Sequence, residues 1–410
     1  MLPAPFRPIE AHERIQLVDA LRGFALLGVL VVNLWSLSRY EWLPPERQTH
    51  TWLSDGLMIL IDTKFITIFS VLFGAGFWVQ RQRARDRGVS FPAFYLGRVG
   101  ILFLMACGHA YLFWFGDIVR HYALLGIALL TVRGLSPRAT LRLAGVCIGL
   151  LTPLVFIGNG VLDLHTTPGQ VDGLPLAAFV YGSFTAGSYP QILRANWLID
   201  PLRNFAQDMP IALVSMFGKM LLGVWLAQIG FFRNPAAHAG RIRWWLWWGG
   251  LAGVPGSVAY WAIKKGLLSL ESPWMLPLVF AVSACLVLHS LFYVALFVTL
   301  YNGRTGAVLL RFFAPVGRMA LSNYFGQTLL AFALFYGTGR VGRVGPPELL
   351  AWAAVIFTVQ LGLSRWWLRR HAFGPAEWLW RRLSYAIQKG DRRPEAGRPE
   401  EANRTLAEMR

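Results

Sequence analysis

Apolar runs of about twenty residues recur along almost the whole of this chain, and they leave little choice of fold. The hydrocarbon core of a bilayer is about 30 Å thick, a distance a helix of about 20 residues crosses at about 1.5 Å per residue. Within that core every backbone N–H and C=O must find its partner inside the protein, so such runs form helices and not open strands. The runs near 20–38, 56–80, 97–115, 119–132, 141–160, 208–230, 244–263, 274–300, 318–338 and 348–368 predict an all-α, polytopic transmembrane helix bundle of about ten spans. The run at 119–132 is short for the core and predicts a tilted or half-buried helix. Composition agrees: 15% of the residues are charged, against about 25% in a soluble domain.

The loops set the orientation. Arg81, Arg83, Arg85, Arg87 and Arg98 flank one connection, and Arg133, Arg138 and Arg142 the next on that side. Arg233, Arg241 and Arg243 follow, then Arg304, Arg311 and Arg318, then an Arg-rich C-terminal segment. The intervening loops 40–55, 161–205 and 339–347 carry few basic residues, which places the basic loops and both termini in the cytoplasm. The net charge of +18 is thus spread over membrane loops, which argues against nucleic-acid binding. The expected organisation is one transmembrane domain over 1–389 and a disordered cytoplasmic tail over 390–410, in a bacterial cytoplasmic (inner) membrane. The polar start and the long first apolar run predict no cleavable signal peptide. The long 161–205 loop should carry short helices and cover the outer face. The stretch FGPAEWLWRRLSY (373–385) reads as an interfacial helix anchored in the inner leaflet.

Charged and amide groups at membrane depth are costly, and they mark candidate sites. Asp19, Arg22 and Asn33 lie in the first span, and the eleven-residue step from Arg22 to Asn33 returns to nearly the same face about 16 Å further along. His109 sits deep in the third span, ahead of Gly116-Asp117, Arg120, His121 and Tyr122. In a continuous helix Asp117 lies about 80° round from His109 and two turns away, so the two meet only if the chain breaks at Gly116. A histidine here serves either as an interhelical hydrogen-bonding group or as a general base. Asp62 and Lys64 point to opposite sides of a continuous helix, which leaves Arg120 or Asp117 as candidate partners. Asn323 and Gln327, one turn apart, are expected to bind neighbouring helices. Cys107, Cys147 and Cys285 lack metal-ligand spacing and read as packing residues, and no metal site is expected.

The stretches VDALRGFALLGVLVVN, KFITIFSVLFGAGF, RVGILFLMACGHAYLFWFGDIVRHYALLG, GRMALSNYFGQ and FGPAEWLWRRLSY together resemble the YeiB-like family of bacterial membrane proteins, domain of unknown function 418. At its first span that family is similar to two groups of transmembrane acyltransferases, the acyltransferase-3 and heparan-α-glucosaminide N-acetyltransferase families. The resemblance implies transfer of an acyl group from cytosolic acyl-CoA to an extracytoplasmic acceptor such as a sugar, with Arg22 matching the arginine that opens their first span. Where the acyltransferase-3 pattern has a histidine, this chain has Asn33, so the base must come from elsewhere. His109 is favoured, His50 is the alternative, and a branch without acyl transfer is the third possibility. On this reading Arg22, Arg98 and Arg318 hold the acyl-CoA phosphates, His109 and Asp117 supply acid–base chemistry, and Asn33 polarises the carbonyl. A transporter of a small or lipid-linked solute is the alternative reading.

Overall fold

The structure, a computed structural model, describes residues 14–43, 45–162, 169–204, 209–268 and 272–390. Of the tail expected over 390–410, all but Gly390, the last residue of α19, lies outside the described residues, as do parts of the 161–205 loop. Helices account for nearly all the regular structure. They are α1 (Gln16–Leu37), α2 (Thr51–Leu60), α3 (Lys64–Asp86), α4 (Phe91–Leu112), α5 (Val119–Leu129), α6 (Pro137–Val146) and α7 (Thr152–Leu162). After these come α8 (Leu176–Thr185), α9 (Tyr189–Leu198), α10 (Pro201–Asn204), α11 (Met209–Gln228), α12 (Ala239–Trp248) and α13 (Val254–Lys264). The chain continues through α14 (Met275–Asn302), α15 (Arg304–Arg311), α16 (Ala314–Arg318), α17 (Ala320–Phe335), α18 (Pro346–Leu368) and α19 (Pro375–Gly390). Two short antiparallel strands, β1 (Gln170–Val171) and β2 (Leu174–Pro175), precede α8.

Among the described residues, seven helical stretches are long and apolar enough to cross a membrane: Gln16–Leu37, Thr51–Asp86, Phe91–Leu112, Pro137–Gly158, Met209–Gln228, Met275–Asn302 and Pro346–Leu368. The other three expected runs are helical in different ways. Val119–Leu129 spans only 11 residues and α17 only 16, while α12 and α13 run together through a π-helical turn at Gly249–Gly253. A second π turn, Cys147–Leu151, joins α6 to α7.

Two close crossings set the frame, and glycine permits both. At Gly74 of α3 an added Cβ would overlap the carbonyl oxygen of Met220, and at Gly223 of α11 it would overlap that of Val71. At Gly23 of α1 it would overlap Phe313 O, and at Gly317 of α16 it would overlap Asp19 O. Without water between apolar helices, close backbone approach is what holds them, and small residues allow it. The second crossing fixes Arg318, at the end of α16, beside Asp19 and Arg22 of α1. The amide expectation holds: Asn323 Nδ2 donates to Val316 O at 3.1 Å and Ser364 Oγ at 3.0 Å, and Gln327 Nε2 to Gln360 Oε1 at 3.0 Å. These bonds tie α17 to α16 and α18.

The 161–205 segment carries α8, α9 and α10, as expected of it. Asp62 and Lys64 need correction. The chain turns at Ile61–Thr63, with Thr63 in the left-handed region (φ 64°), so the two residues do not share a helix. Asp62 Oδ1 accepts the Thr63 N–H at 2.7 Å, and Lys64, fully buried, donates to Met58 O at 3.3 Å. Neither reaches Asp117 or Arg120, which have other partners.

Candidate active site

A chamber of about 1000 Å³ opens at the arginine-rich end of the bundle. Its wall holds Arg14, Arg22, Arg83, Arg98, Arg233, Arg318 and Arg381 against three carboxylates, Asp19, Asp86 and Glu377. Arg22 Nη1 donates to Asp19 Oδ1 at 3.2 Å. Arg98 lies over the Trp380 ring, 4.1 Å from its centre, and Trp380 Nε1 donates to Arg98 O at 2.7 Å. Deeper in, the wall becomes apolar and aromatic: Val29, Ile66, Phe69, Phe73, Ile118, Tyr122 and Tyr324. A cationic mouth over an apolar floor suits an anionic molecule with an apolar arm. All three arginines expected to bind phosphate, Arg22, Arg98 and Arg318, line this one chamber.

The C-terminal helix α19 packs against the bundle. Phe373, Glu377, Trp380 and Arg381 form part of the chamber wall. Glu377 Oε1 accepts the N–H groups of Leu321 (2.7 Å) and Ser322 (3.3 Å), capping the start of α17, and its other oxygen accepts the Ser322 hydroxyl. Free N–H groups at a helix start favour a carboxylate there, so α19 is pinned to the bundle through Glu377.

Above the chamber lies the break that brings the second cluster together. α4 stops at Leu112, and α5 begins only at Val119. Gly116 leaves room for the Trp114 ring, which an added Cβ would overlap. The connection turns back, and Asp117 Oδ2 meets His109 Nδ1 at 2.7 Å with both side chains buried. A carboxylate accepts, so Nδ1 carries the proton, and Nε2 is buried without a hydrogen-bond partner among the described residues. The other Asp117 oxygen accepts the Arg120 N–H at 2.9 Å, at the start of α5. His109 stacks on Phe325 (4.6 Å between ring centres) and stands 5.5 Å from the Tyr324 ring, which lines the chamber.

Neither His109, Asp117 nor Asn33 lines the chamber itself. Asn33 is one turn beyond Val29 on α1, and His109 is two turns beyond Leu102 on α4. His50, the alternative base, is exposed and sits in the left-handed region (φ 51°) just ahead of α2.

Arg120, expected near Asp62 and Lys64, is instead locked to Asp200. Two parallel bonds of 2.8 Å join the guanidinium to the carboxylate, and Arg120 Nη2 also donates to Phe115 O at 2.9 Å. Tyr111 adds a third bond to Asp200 at 2.7 Å. Burial opposes the ionisation of Asp200, but the bonds from Arg120 and Tyr111 outweigh it and hold the carboxyl below its ordinary range. Asp200 carried no signal in the sequence, being one acid among several in a long loop.

Comparison with other proteins places the chain among relatives of similar length. A family model described as "Protein of unknown function (DUF418)" matches residues 226–387. YxaH of Bacillus subtilis (strain 168) is 31% identical over 413 residues, covering 92% of this chain and 96% of its own. The chain belongs to the YeiB-like DUF418 family. YeiB of Escherichia coli (strain K12) is 28% identical over 397 residues, covering 91% of this chain and 96% of its own. The matches to YxaH and YeiB each cover more than nine-tenths of this DUF418 protein and of the relative.

Proposed function

We propose that this DUF418 protein is a transmembrane acyltransferase of the bacterial cytoplasmic (inner) membrane, with its arginine-rich end and both termini in the cytoplasm. It takes acyl-CoA from the cytosol as co-substrate and passes the acyl group to a hydroxyl or amine of an extracytoplasmic acceptor such as a sugar. The observation that carries this reading is the buried His109–Asp117 pair next to residues that line the arginine-mouthed chamber, Ile118 and Tyr324. A carboxylate on Nδ1 orients the ring, leaves Nε2 as the base, and stabilises the imidazolium once a proton is taken.

In this mechanism Arg22, Arg98 and Arg318 hold the phosphates, and the thioester arm runs along the apolar floor toward Tyr324. The ring of Tyr324 turns aside to admit it. His109 Nε2 takes the acceptor proton as the acceptor oxygen or nitrogen attacks the thioester carbonyl, and Asn33 donates to the oxyanion. The tetrahedral intermediate collapses, the C–S bond breaks, and the imidazolium returns the proton to the departing thiolate.

The test is acyl-CoA binding and cleavage by the purified protein in nanodiscs. H109Q should keep binding and lose turnover, and R22Q/R98Q should lose binding. A protein that neither binds nor cleaves any acyl-CoA ends the proposal. The absence of His109 from the chamber lining favours a second reading, a carrier for an amphiphilic anion. Counterflow of a labelled solute without chemical change would support it.

A further inference from the structure

At the other end of the bundle, Arg39 follows α1 with its side chain wholly buried. The guanidinium is held between two rings, 3.6 Å from the centre of Phe184 on α8 and 4.9 Å from that of Phe115. Among the described residues, none of its three nitrogens makes a hydrogen bond of good geometry, and no carboxylate pairs with it. The hydroxyl of Tyr336, which donates to Leu37 O at 3.4 Å, is within hydrogen-bonding reach of the guanidinium, but it is uncharged and supplies no counter-charge. A second feature coincides: Arg39 is in the left-handed backbone region (φ 62°), uncommon for a residue with a Cβ. Gly342 N–H holds the preceding carbonyl, Ser38 O, at 2.8 Å, which fixes the turn.

A buried cation without a counter-charge is costly, and ring faces recover only part of the lost hydration. The five N–H donors of a guanidinium match the oxygens of a carboxylate or phosphate. We propose that Arg39 is the anchor of an anion-binding site beneath the α8 cap, on the arginine-poor face opposite the chamber. Its ligand presents a carboxylate or phosphate, as part of either a dissolved solute or a lipid headgroup. Phe115 joins the site to the connection that carries Asp117 two residues later, so an occupant lies against the wall of the His109–Asp117 pair. The site stands independently of acyl transfer.

The full chain in neutral-lipid nanodiscs is treated with p-hydroxyphenylglyoxal, which modifies arginine, and each arginine is followed by peptide mass spectrometry. Arg39 should label slowly as the cap opens, and inorganic phosphate or acetate at ten times its Kd should slow that labelling about tenfold. Exposed Arg194 serves as the control and should not respond to either anion. Protection by dissolved phosphate or acetate assigns the ligand to a solute. Protection by phosphatidylglycerol in the disc, without added anion, assigns it to a headgroup. An Arg39 that never labels while Arg194 does, or one whose labelling ignores all three anions, overturns the proposal.

Discussion

The buried pair that ties Asp200, in the 161–205 loop, to α5 offers the most direct test of how the site is held. Arg120 and Asp200 are 0% and 1% exposed, with two 2.8 Å bonds between them. Asp200→Ala removes both bonds together with the one from Tyr111, and leaves the guanidinium with Phe115 O alone. Stranding one charge of a buried pair costs about 3–5 kcal/mol. At an unfolding entropy of about 2.1 cal/mol/K per residue, this lowers the Tm of a chain of 410 residues by roughly 3–6 °C, read by tryptophan fluorescence on heating. The double variant R120M/D200L removes both charges, and it should recover most of the loss because desolvation no longer opposes burial. The pH dependence follows from the same bonds. The Asp200 carboxyl is held below its ordinary 3.8, so the pair's contribution is complete above that value and is lost only as pH falls through the lower folded-state pKa. A D200A protein within about 1 kcal/mol of the parent, or a double variant no better than the worse single one, would refute the account.

Other outcomes follow from the same geometry. D117N should leave acyl-CoA affinity intact and reduce turnover on the order of a hundredfold or more, because the ring loses its orienting charge; single-turnover kinetics separates the two effects. N33A should cut turnover on the order of a hundredfold without changing binding, as expected of an oxyanion donor, and an unchanged rate would remove Asn33 from the mechanism. Gly317→Val forces α16 off the Asp19 carbonyl and displaces Arg318, so acyl-CoA binding should weaken in whatever protein still folds, as measured by equilibrium dialysis. E377A removes the cap of α17, costs about 1–2 kcal/mol, and should open the chamber wall to proteolysis of α19.

Much of this protein was legible from a single strand of text. Ten apolar runs define a helical membrane bundle because the bilayer's thickness fixes how long an apolar helix must be. Three of the chamber's seven arginines, Arg22, Arg98 and Arg318, were likewise readable, since each stands at the start of an apolar run on the basic side. The amides Asn323 and Gln327 announced interhelical bonds, because an amide at membrane depth must find a partner. Local sequence also marked a turn at Gly116-Asp117, without showing where the chain then went.

Tertiary structure alone decided the rest. Helical periodicity placed Asp117 two turns from His109, and only the reversal after Leu112 brought the carboxylate within 2.7 Å of the ring. Likewise, nothing local pairs Arg120 with an acid eighty residues later, or turns an amphipathic C-terminal helix into a chamber wall. Periodicity reports which face of a helix is apolar, but partners are chosen among distant segments by which buried charges can be satisfied together, and that choice exists only once the helices pack.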